Sequence, residues 1–246
     1  MKEIHNMAEG TLCWLGGASF LVSLGGKRIG IDLYLTNDCE NPSGEFKRIS
    51  PRLVEAENLK LDFLIATHDH GDHFDMSVIP TLIKNGATLI GPDSVMEQAK
   101  KLGVGDDSLQ PLNRGEEIVL DGICFRGVFC DHGTSAPDAI GIIMSSGGKS
   151  LYFAGDTAFT PGLEQAVGLN MRPDVLLVPI NGRYGNADSK DAAYITAWVK
   201  PKMSIPCHFW MFVEHGGNPS EFLQWCAVFA PDTKACVPAI SEIIPF

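Results

Sequence analysis

The stretch LDFLIATHDHGDHFD, residues 61–75, joins an apolar run to a dense group of histidines and aspartates. The apolar part, LDFLIAT, is rich enough in non-polar residues to predict a strand that is buried on both faces. Three of the chain's seven histidines then fall within six residues, at His68, His70 and His73. A plain surface turn rarely carries such a cluster directly after a core strand, so we expect these histidines to bind metal.

The spacing inside HDHGDH, residues 68–73, leaves single residues between most of the potential ligands. Side chains this close cannot all bind one ion from a regular helix or strand, but an irregular turn can direct them toward two adjacent ions. Imidazole and carboxylate ligands together suit Zn²⁺, Mn²⁺ or Fe²⁺. Asp69 and Asp75, which flank the histidines, are expected to be turn residues or hydrogen-bond partners of the ligands.

The rest of the chain predicts a single domain, residues 1–246, built from two similar halves. Each half begins with several strands, after which helices and strands alternate. The predicted elements include strands over 27–35 and 234–240, a helix over 161–169 and a long polar loop over 36–50. Two sheets packed face to face with helices outside fit this order, so we expect an α/β fold of the four-layer αββα type.

Composition narrows the range of partners. The net charge of −11, from 19 basic and 30 acidic residues, disfavours nucleic acid, because phosphate-backbone binding needs clustered Lys and Arg. Each apolar run is interrupted too early for a membrane helix, and the first residues lack the apolar core of a signal peptide. Seven cysteines without a CxxC pair are typical of reduced thiols. We therefore expect a cytoplasmic protein with a small-molecule substrate and no membrane partner, and a homo-oligomer is compatible with the sequence.

Residues 68–73 resemble the HxHxDH signature of the metallo-β-lactamase-fold metal-dependent hydrolases, and the resemblance extends from Gly10 to the C-terminus. CDHG places His132 after a strand, LYFAGDTAF places Asp156 after another, and IPCHF places His208 at a strand end. In this family such positions supply the remaining metal ligands. The resemblance therefore implies two mixed β-sheets and two divalent metal ions, Zn²⁺ or Mn²⁺.

The same resemblance implies a role for each ligand. One ion would be held by His68, His70 and His132, the other by Asp72, His73 and His208, with Asp156 as the bridge. A hydroxide bound to both ions of this dinuclear site would be the nucleophile, and Asp72 or Asp156 would carry a proton to the leaving group. Histidine at position 70 favours hydrolysis, since glutamate there would indicate a redox di-iron protein.

Several stretches are similar to the L-ascorbate-6-phosphate lactonase-like branch of this superfamily, namely ATHDHGDHFD, GKSLYFAGDTAF, RPDVLLVPINGRYGNADSKDAA and IPCHFWMF. They favour a lactonase-like enzyme that opens a small ester or lactone, with a phosphorylated sugar-acid lactone among the candidates. The alternative is a phosphodiesterase acting on a cyclic nucleotide, a phospholipid or RNA, because the same metal pair supports that reaction. A non-catalytic metal-binding module is a third hypothesis, although none of the expected ligands is missing.

Three loop residues are candidate substrate contacts. Arg183 and Tyr184 follow a predicted core strand, where the guanidinium suits a phosphate or carboxylate and the ring suits stacking or a hydrogen bond. An Arg183 that only braces its own loop is an equal alternative. His215 lies in a Gly-rich loop after His208 and either borders the pocket or is solvated, and Trp210 is either a pocket wall or a core residue.

Overall fold

The computed structural model describes residues 6–160, 163 and 172–246 and contains two seven-stranded β-sheets. The strands are, in chain order, β1 (Thr11–Gly16), β2 (Ser19–Leu24), β3 (Lys27–Ile31), β4 (Phe63–Ile65), β5 (Thr88–Gly91), β6 (Leu109–Pro111), β7 (Glu117–Leu120), β8 (Ile123–Phe129), β9 (Ile140–Ser146), β10 (Lys149–Phe153), β11 (Val175–Pro179), β12 (Met203–Cys207), β13 (Lys234–Ala235) and β14 (Ile243–Pro245).

The two sheets are built alike. One has the strand order β14-β1-β2-β3-β4-β5-β6, and the other has the order β13-β12-β11-β10-β9-β8-β7. In the first sheet, β14 to β3 pair antiparallel and β3 to β6 pair parallel. In the second, β7 to β10 pair antiparallel and β10 to β13 pair parallel. The two predicted halves are thus present, although β14 returns from the C-terminal part to the first sheet, which the sequence pattern did not indicate.

Helices cover the outer faces of both sheets. Among the described residues they are α1 (Ile79–Lys84), α2 (Asp93–Lys101), α3 (Ser189–Val199) and α4 (Pro219–Phe229). Helices α1 and α2 pack on the first sheet, where Leu82 and Val95 share an apolar cluster with Leu64 of β4. Helices α3 and α4 pack on the second sheet through residues such as Ala192 and Phe222. The predicted four-layer αββα sandwich is confirmed.

Strand β4 shows how the apolar run of the opening stretch is used. Phe63 and Ile65 belong to the core between the sheets, where the Phe63 ring lies 5.2 Å from that of Phe125 in β8. Leu64, between them, points to the other face of the sheet and packs under α1 and α2. The expected burial on both faces is therefore confirmed, and the strand is fixed firmly enough to hold the loop that follows it.

Two of the predicted strands are too long. The strand predicted over 27–35 ends at Ile31, because Asp32 takes a left-handed backbone conformation with a φ of 44°. The strand predicted over 234–240 pairs only at Lys234–Ala235. Pro238, further along, has no N–H to donate to a ladder.

The remaining predictions concern one loop and one helix. The stretch 36–50 is a loop, as expected, and its one pairing with a distant segment is a bridge between Arg48 and Phe212. The helix predicted over 161–169 falls, apart from Leu163, outside the described residues. Within the described ranges, no helix has both the length and the apolar character needed to cross a membrane.

Candidate metal centre

Strand ends from both sheets converge at one edge of the sandwich. His68 follows β4 of the first sheet, whereas His132, Asp156 and His208 follow β8, β10 and β12 of the second. All four side chains are buried. Because each stands just beyond a hydrogen-bonded strand of the core, its position is set by the rigid part of the fold.

Three histidines form one group of converging ligand atoms. His70 Nδ1 lies 3.0 Å from His68 Nε2 and 3.2 Å from His132 Nε2. The group brings together two residues of the HDHGDH loop and one that is 62 positions distant from His70 in the chain. The predicted first set of ligands is therefore assembled in space.

A second group lies beside the first and is centred on His208. Its Nε2 atom is 3.0 Å from His73 Nε2, 3.3 Å from Asp72 Oδ2 and 3.1 Å from Asp156 Oδ2. The same Asp156 oxygen is 3.8 Å from His132 Nε2 of the first group. Asp156 thus stands between the two groups, where a bridging carboxylate was predicted.

These contacts fit bound metal ions better than hydrogen bonds. Two neutral imidazoles whose ring nitrogens face each other can form one N–H···N hydrogen bond at most, because each ring has a single N–H. His70 Nδ1 faces the ring nitrogens of two other histidines. Ligand atoms bound at about 2.0–2.1 Å around one ion lie about 3 Å apart, which matches the distances in both groups. Asp156 Oδ1 is in addition buried without a hydrogen-bond partner in the described part of the chain. The donor set of histidine nitrogen and carboxylate oxygen suits Zn²⁺ or Mn²⁺.

Asp32 supports the second group, and sequence reasoning missed it. Its fully buried carboxylate lies 2.6 Å from His73 Nδ1 and accepts hydrogen bonds from the N–H and the hydroxyl of Thr67, at 2.8 and 2.6 Å. With the His73 proton held on Nδ1 by Asp32, the Nε2 lone pair faces the metal position. The available signal is a lone acid in the apolar run RIGIDLYL, whose pattern predicts a strand.

Asn186 is a second supporting residue that the sequence did not single out. Its Nδ2 donates a hydrogen bond of 2.8 Å to Asp156 Oδ2, the oxygen shared between the groups. Asn186 comes from the loop after β11, so a residue that follows this strand also contacts the shared carboxylate. In the stretch PINGRYGNAD the sequence indicates Arg183 and Tyr184 as candidate substrate contacts, and it gives no signal for Asn186.

The protonation equilibria differ among the proposed ligands. Burial alone raises the pKa of Asp156, but the neighbouring His208 and His73 outweigh this and hold the pKa well below its ordinary value. Burial, together with His73, holds the pKa of His68 well below its ordinary value. Asp156 is thus an ionised carboxylate and His68 a neutral imidazole, which are the forms that bind metal ions. Burial lowers the pKa of His73 and of His208, but Asp156 and the other carboxylates around them outweigh it, so the pKa of His73 lies well above its ordinary value and that of His208 is raised to about 9. Both rings must therefore release a proton when they bind a metal ion.

His215 closes one side of the site. Its ring is buried, stacks on that of His208 at a centroid distance of 4.5 Å, and places Nε2 3.9 Å from Asp72 Oδ2. Burial and the adjacent His208 lower the pKa of His215 to about 3, so the ring is neutral at pH 7. Of the two choices for His215, the structure shows the one in which it borders the pocket.

A cavity of about 540 Å³ opens above the metal groups. Its lining includes Asp72, Asp156, His208 and His215 at the floor, and aromatic side chains such as Tyr184 toward the exterior. Among the described residues that line it there is no Lys or Arg. A volume of this size is typical of a small-molecule site.

Arg183 and Trp210 lie outside this lining. Arg183 is exposed and its side chain lies against Gly216. Trp210 is 56% exposed and packs on Phe209, with ring centroids 5.2 Å apart. Tyr184 is therefore the member of the Arg183-Tyr184 pair whose side chain faces the cavity.

The two aspartates that flank the histidines are not in the ligand groups. Asp69 accepts a hydrogen bond of 3.4 Å from Gln98 in α2. Asp75 is buried and accepts hydrogen bonds from the backbone N–H groups of Leu35 and Thr36, both at 3.0 Å, and from the Thr36 hydroxyl at 2.9 Å. Asp75 thus fixes the start of the 36–50 loop rather than a histidine.

Comparison with known proteins is consistent with this geometry. A family model described as a beta-lactamase superfamily domain matches residues 11–208. A "UPF0173 metal-dependent hydrolase" of Hyperthermus butylicus is 30% identical over 240 residues, which are 96% of this chain and 100% of that protein. The chain belongs to the UPF0173 metal-dependent hydrolases of the metallo-β-lactamase superfamily.

Solved structures of other proteins share this fold. The metallo hydrolase Igni18 of Ignicoccus hospitalis has a TM-score of 0.78 at 24% identity, covering 96% of this chain and 97% of that one. An isothiocyanate hydrolase from Delia radicum gut bacteria also has a TM-score of 0.78, at 18% identity, covering 96% and 98%. At these identities the likeness shows the metallo-β-lactamase fold alone. The UPF0173 family membership confirms the predicted metal-dependent hydrolase.

Proposed function

We propose that this UPF0173 hydrolase opens small esters or lactones and that it uses two divalent ions, Zn²⁺ or Mn²⁺. One ion would be bound by His68, His70 and His132, the other by Asp72, His73 and His208, and Asp156 would contact both. When bound, the ions would supply Lewis acidity toward the substrate carbonyl and toward water. The observation that carries the proposal is the convergence of these seven side chains, five of which line one cavity.

In this proposal Asp72 transfers a proton and His215 donates a hydrogen bond. Asp72 is the more accessible of the two catalytic candidates, with 20% of its side chain exposed against 5% for Asp156. In ester hydrolysis the water oxygen bonds to the carbonyl carbon and the ester C–O bond breaks. Asp72 would take the proton of the attacking water and deliver it to the departing oxygen. Neutral His215, 3.9 Å from Asp72, would donate a hydrogen bond to the substrate.

The lining of the cavity favours a carbonyl substrate over a phosphodiester. Proteins that bind phosphate groups commonly use Lys or Arg for charge-assisted hydrogen bonds. The described lining contains neither, and the exposed Arg183 lies beside it rather than in it. The same argument disfavours a phosphorylated sugar-acid lactone within the proposed lactonase class.

The test compares metal-free protein with protein reloaded with Zn²⁺ or Mn²⁺ on neutral lactones, aryl esters and bis(p-nitrophenyl) phosphate. We expect lactone or ester turnover that requires about two equivalents of metal, with phosphodiester turnover much slower. His68→Ala should abolish turnover and reduce bound metal. Asp69→Asn is the matched control, because Asp69 is adjacent in sequence but contacts Gln98 instead of a ligand.

Three results would contradict the proposal. Lactone turnover that persists both in metal-free protein and in His68→Ala would remove the metal ions from the reaction. Full metal occupancy with no turnover of any lactone or ester, but with rapid phosphodiester cleavage, would favour the phosphodiesterase instead. Metal-loaded protein that turns over none of these substrates would support the non-catalytic module.

A further inference from the structure

Two aromatic side chains from separate loops meet at the mouth of the cavity. Phe46 lies in the 36–50 loop and Tyr184 in the loop after β11, and their ring centroids are 5.8 Å apart. Both residues line the cavity. We call this pair the aromatic clamp. None of the proposed metal ligands belongs to it.

The backbone at both clamp residues is strained. Phe46 and Tyr184 each have a φ of 55°, in the left-handed region that residues with a side chain rarely occupy. This conformation disfavours each residue by roughly 1–2 kcal/mol. Strain of this kind persists where the surrounding structure enforces it, and it occurs often at ligand-binding sites. The strain therefore points to a reason for the position of these two rings.

The loop that carries Phe46 is held in place by several contacts. Arg48 donates hydrogen bonds of 2.9 and 3.0 Å to the carbonyl oxygens of Tyr34 and Thr36. The Phe46 ring packs edge-on against buried Phe212, at a centroid distance of 5.7 Å. The ring is thus positioned before any ligand arrives, which lowers the entropy lost on binding.

The second ring faces both the floor and the exterior of the cavity. Tyr184 is 52% exposed, and its ring centroid lies 6.2 Å from that of His215 beside the metal groups. A molecule that reaches the metal groups therefore passes an aromatic surface and meets no Lys or Arg of the described lining. Aromatic rings contribute a large apolar contact area and no full charge.

We propose that Phe46 and Tyr184 are specificity-determining residues that select substrates whose hydrolysable group carries an uncharged apolar chain or ring. This proposal rests on the proposed hydrolysis of esters or lactones and adds the class of substituent that the substrate carries. The scissile carbonyl would reach the metal groups while the apolar substituent lies against the two rings. An anionic substituent would find no cationic side chain in the described lining.

The test separates binding from turnover. Non-hydrolysable γ-lactams with a methyl, butyl or hexyl substituent, and one with a carboxylate-ended chain of equal length, are titrated calorimetrically into metal-loaded protein. The matching γ-lactones are assayed for kcat and KM. In the wild type we expect the affinity for the lactams to rise about two- to fourfold per methylene, and 1/KM for the lactones to rise in the same way. The lactam with the carboxylate-ended chain should bind at least about tenfold more weakly than the hexyl lactam.

Substitutions identify the rings that carry the effect. Tyr184→Ala and Phe46→Ala should each flatten the dependence on chain length. Tyr184→Phe should retain the dependence, because the ring and not the hydroxyl provides the contact. Trp210→Ala is the matched control: Trp210 is as exposed as Tyr184 and has a φ of 54°, but it lies outside the lining. Metal content and circular dichroism of each variant establish that it is folded.

The outcomes distinguish the two proposals. Affinity that does not depend on chain length, tighter binding of the carboxylate analogue, or an equal effect of Trp210→Ala would overturn the clamp. A chain-length dependence that Tyr184→Ala removes, in a protein that hydrolyses none of the lactones, would support the clamp and contradict the proposed reaction.

Discussion

Replacement of Asp32 by Asn tests how the fold prepares a histidine for metal binding. The substitution keeps the shape of the side chain but places an NH₂ group where a carboxylate oxygen meets His73 Nδ1 at 2.6 Å. Two N–H donors cannot face each other, so His73 would have to move its proton to Nε2. Nε2 is the atom that faces His208 and the metal position.

The magnitude follows from the contacts that are lost. Removal of a carboxylate partner from a metal-binding histidine typically weakens metal binding 10–100-fold, or roughly 1.4–2.7 kcal/mol. The metal-free protein should also lose about 1–3 kcal/mol of unfolding free energy, because the Thr67 hydroxyl and the His73 N–H both lose a buried charged acceptor. The two effects are separable, since only the first depends on metal concentration.

Equilibrium competition with a chromogenic chelator measures the metal affinity, and urea unfolding of metal-free protein measures the stability. Asp75→Asn is the matched control: Asp75 is also buried and also accepts three hydrogen bonds, but from Leu35 and Thr36. Its oxygen Oδ1 has no partner among the described residues, so an asparagine NH₂ can take that place. Wild-type metal affinity in Asp32→Asn, or equal losses in both variants, would refute the reasoning.

Two further predictions concern stability. Gly155→Ala should lower the unfolding free energy, measured by urea unfolding, by at least about 2 kcal/mol more than Gly26→Ala does. Both glycines have a positive φ, but a Cβ at Gly155 would meet the carbonyl oxygen of Ile140 at 2.6 Å, whereas a Cβ at Gly26 would have no atom within 4 Å. Equal losses would contradict the steric argument. For Asp174, burial raises the pKa, but hydrogen bonds from Lys202 and Ser150 outweigh it and hold the pKa below its ordinary value. A lowered folded-state pKa stabilises the fold above the unfolded value of about 3.9 and loses this effect as the pH falls through the folded value. The stability difference between wild type and Asp174→Asn should therefore be about 1–2 kcal/mol at pH 7 and shrink below pH 4, whereas a constant difference from pH 7 to pH 3 would argue against the ionised carboxylate as its source.

The fold could be predicted, and the candidate ligands of HDHGDH could be recognised, because both appear as local patterns in the sequence. An apolar run such as 61–67 indicates a strand whatever packs on it, and HDHGDH places four potential ligands in six positions. Single ligands such as His132 and His208 became recognisable only through their resemblance to a family, since one histidine after a strand is common. The structure brings these side chains together, and their role as metal ligands stays a prediction.

The supporting residues could not be predicted in the same way. Asp32 and Asn186 reach the ligands across the sheet edge, and no spacing in the sequence connects them to His73 or Asp156. Strand β14 was missed for a similar reason: three residues at the C-terminus pair with β1 at the other end of the chain. Contacts between distant segments are defined by the packed fold and leave little trace in local composition.

The backbone at the site explains why the conformation of its loops could not be predicted from the sequence. His208, Asp32 and Tyr184 all have a positive φ, although none is glycine, and local propensity would assign each of them an extended or helical conformation. At His208 the strain is balanced by a backbone hydrogen bond of 2.8 Å to the carbonyl of Gly17 in the first sheet. The same turn directs its imidazole toward Asp156 and Asp72. The strained backbone at His208 and at the clamp is thus a consequence of directing side chains from two sheets toward one cavity. Sequence patterns reflect the preferences of unstrained backbone, so they do not indicate strain of this kind.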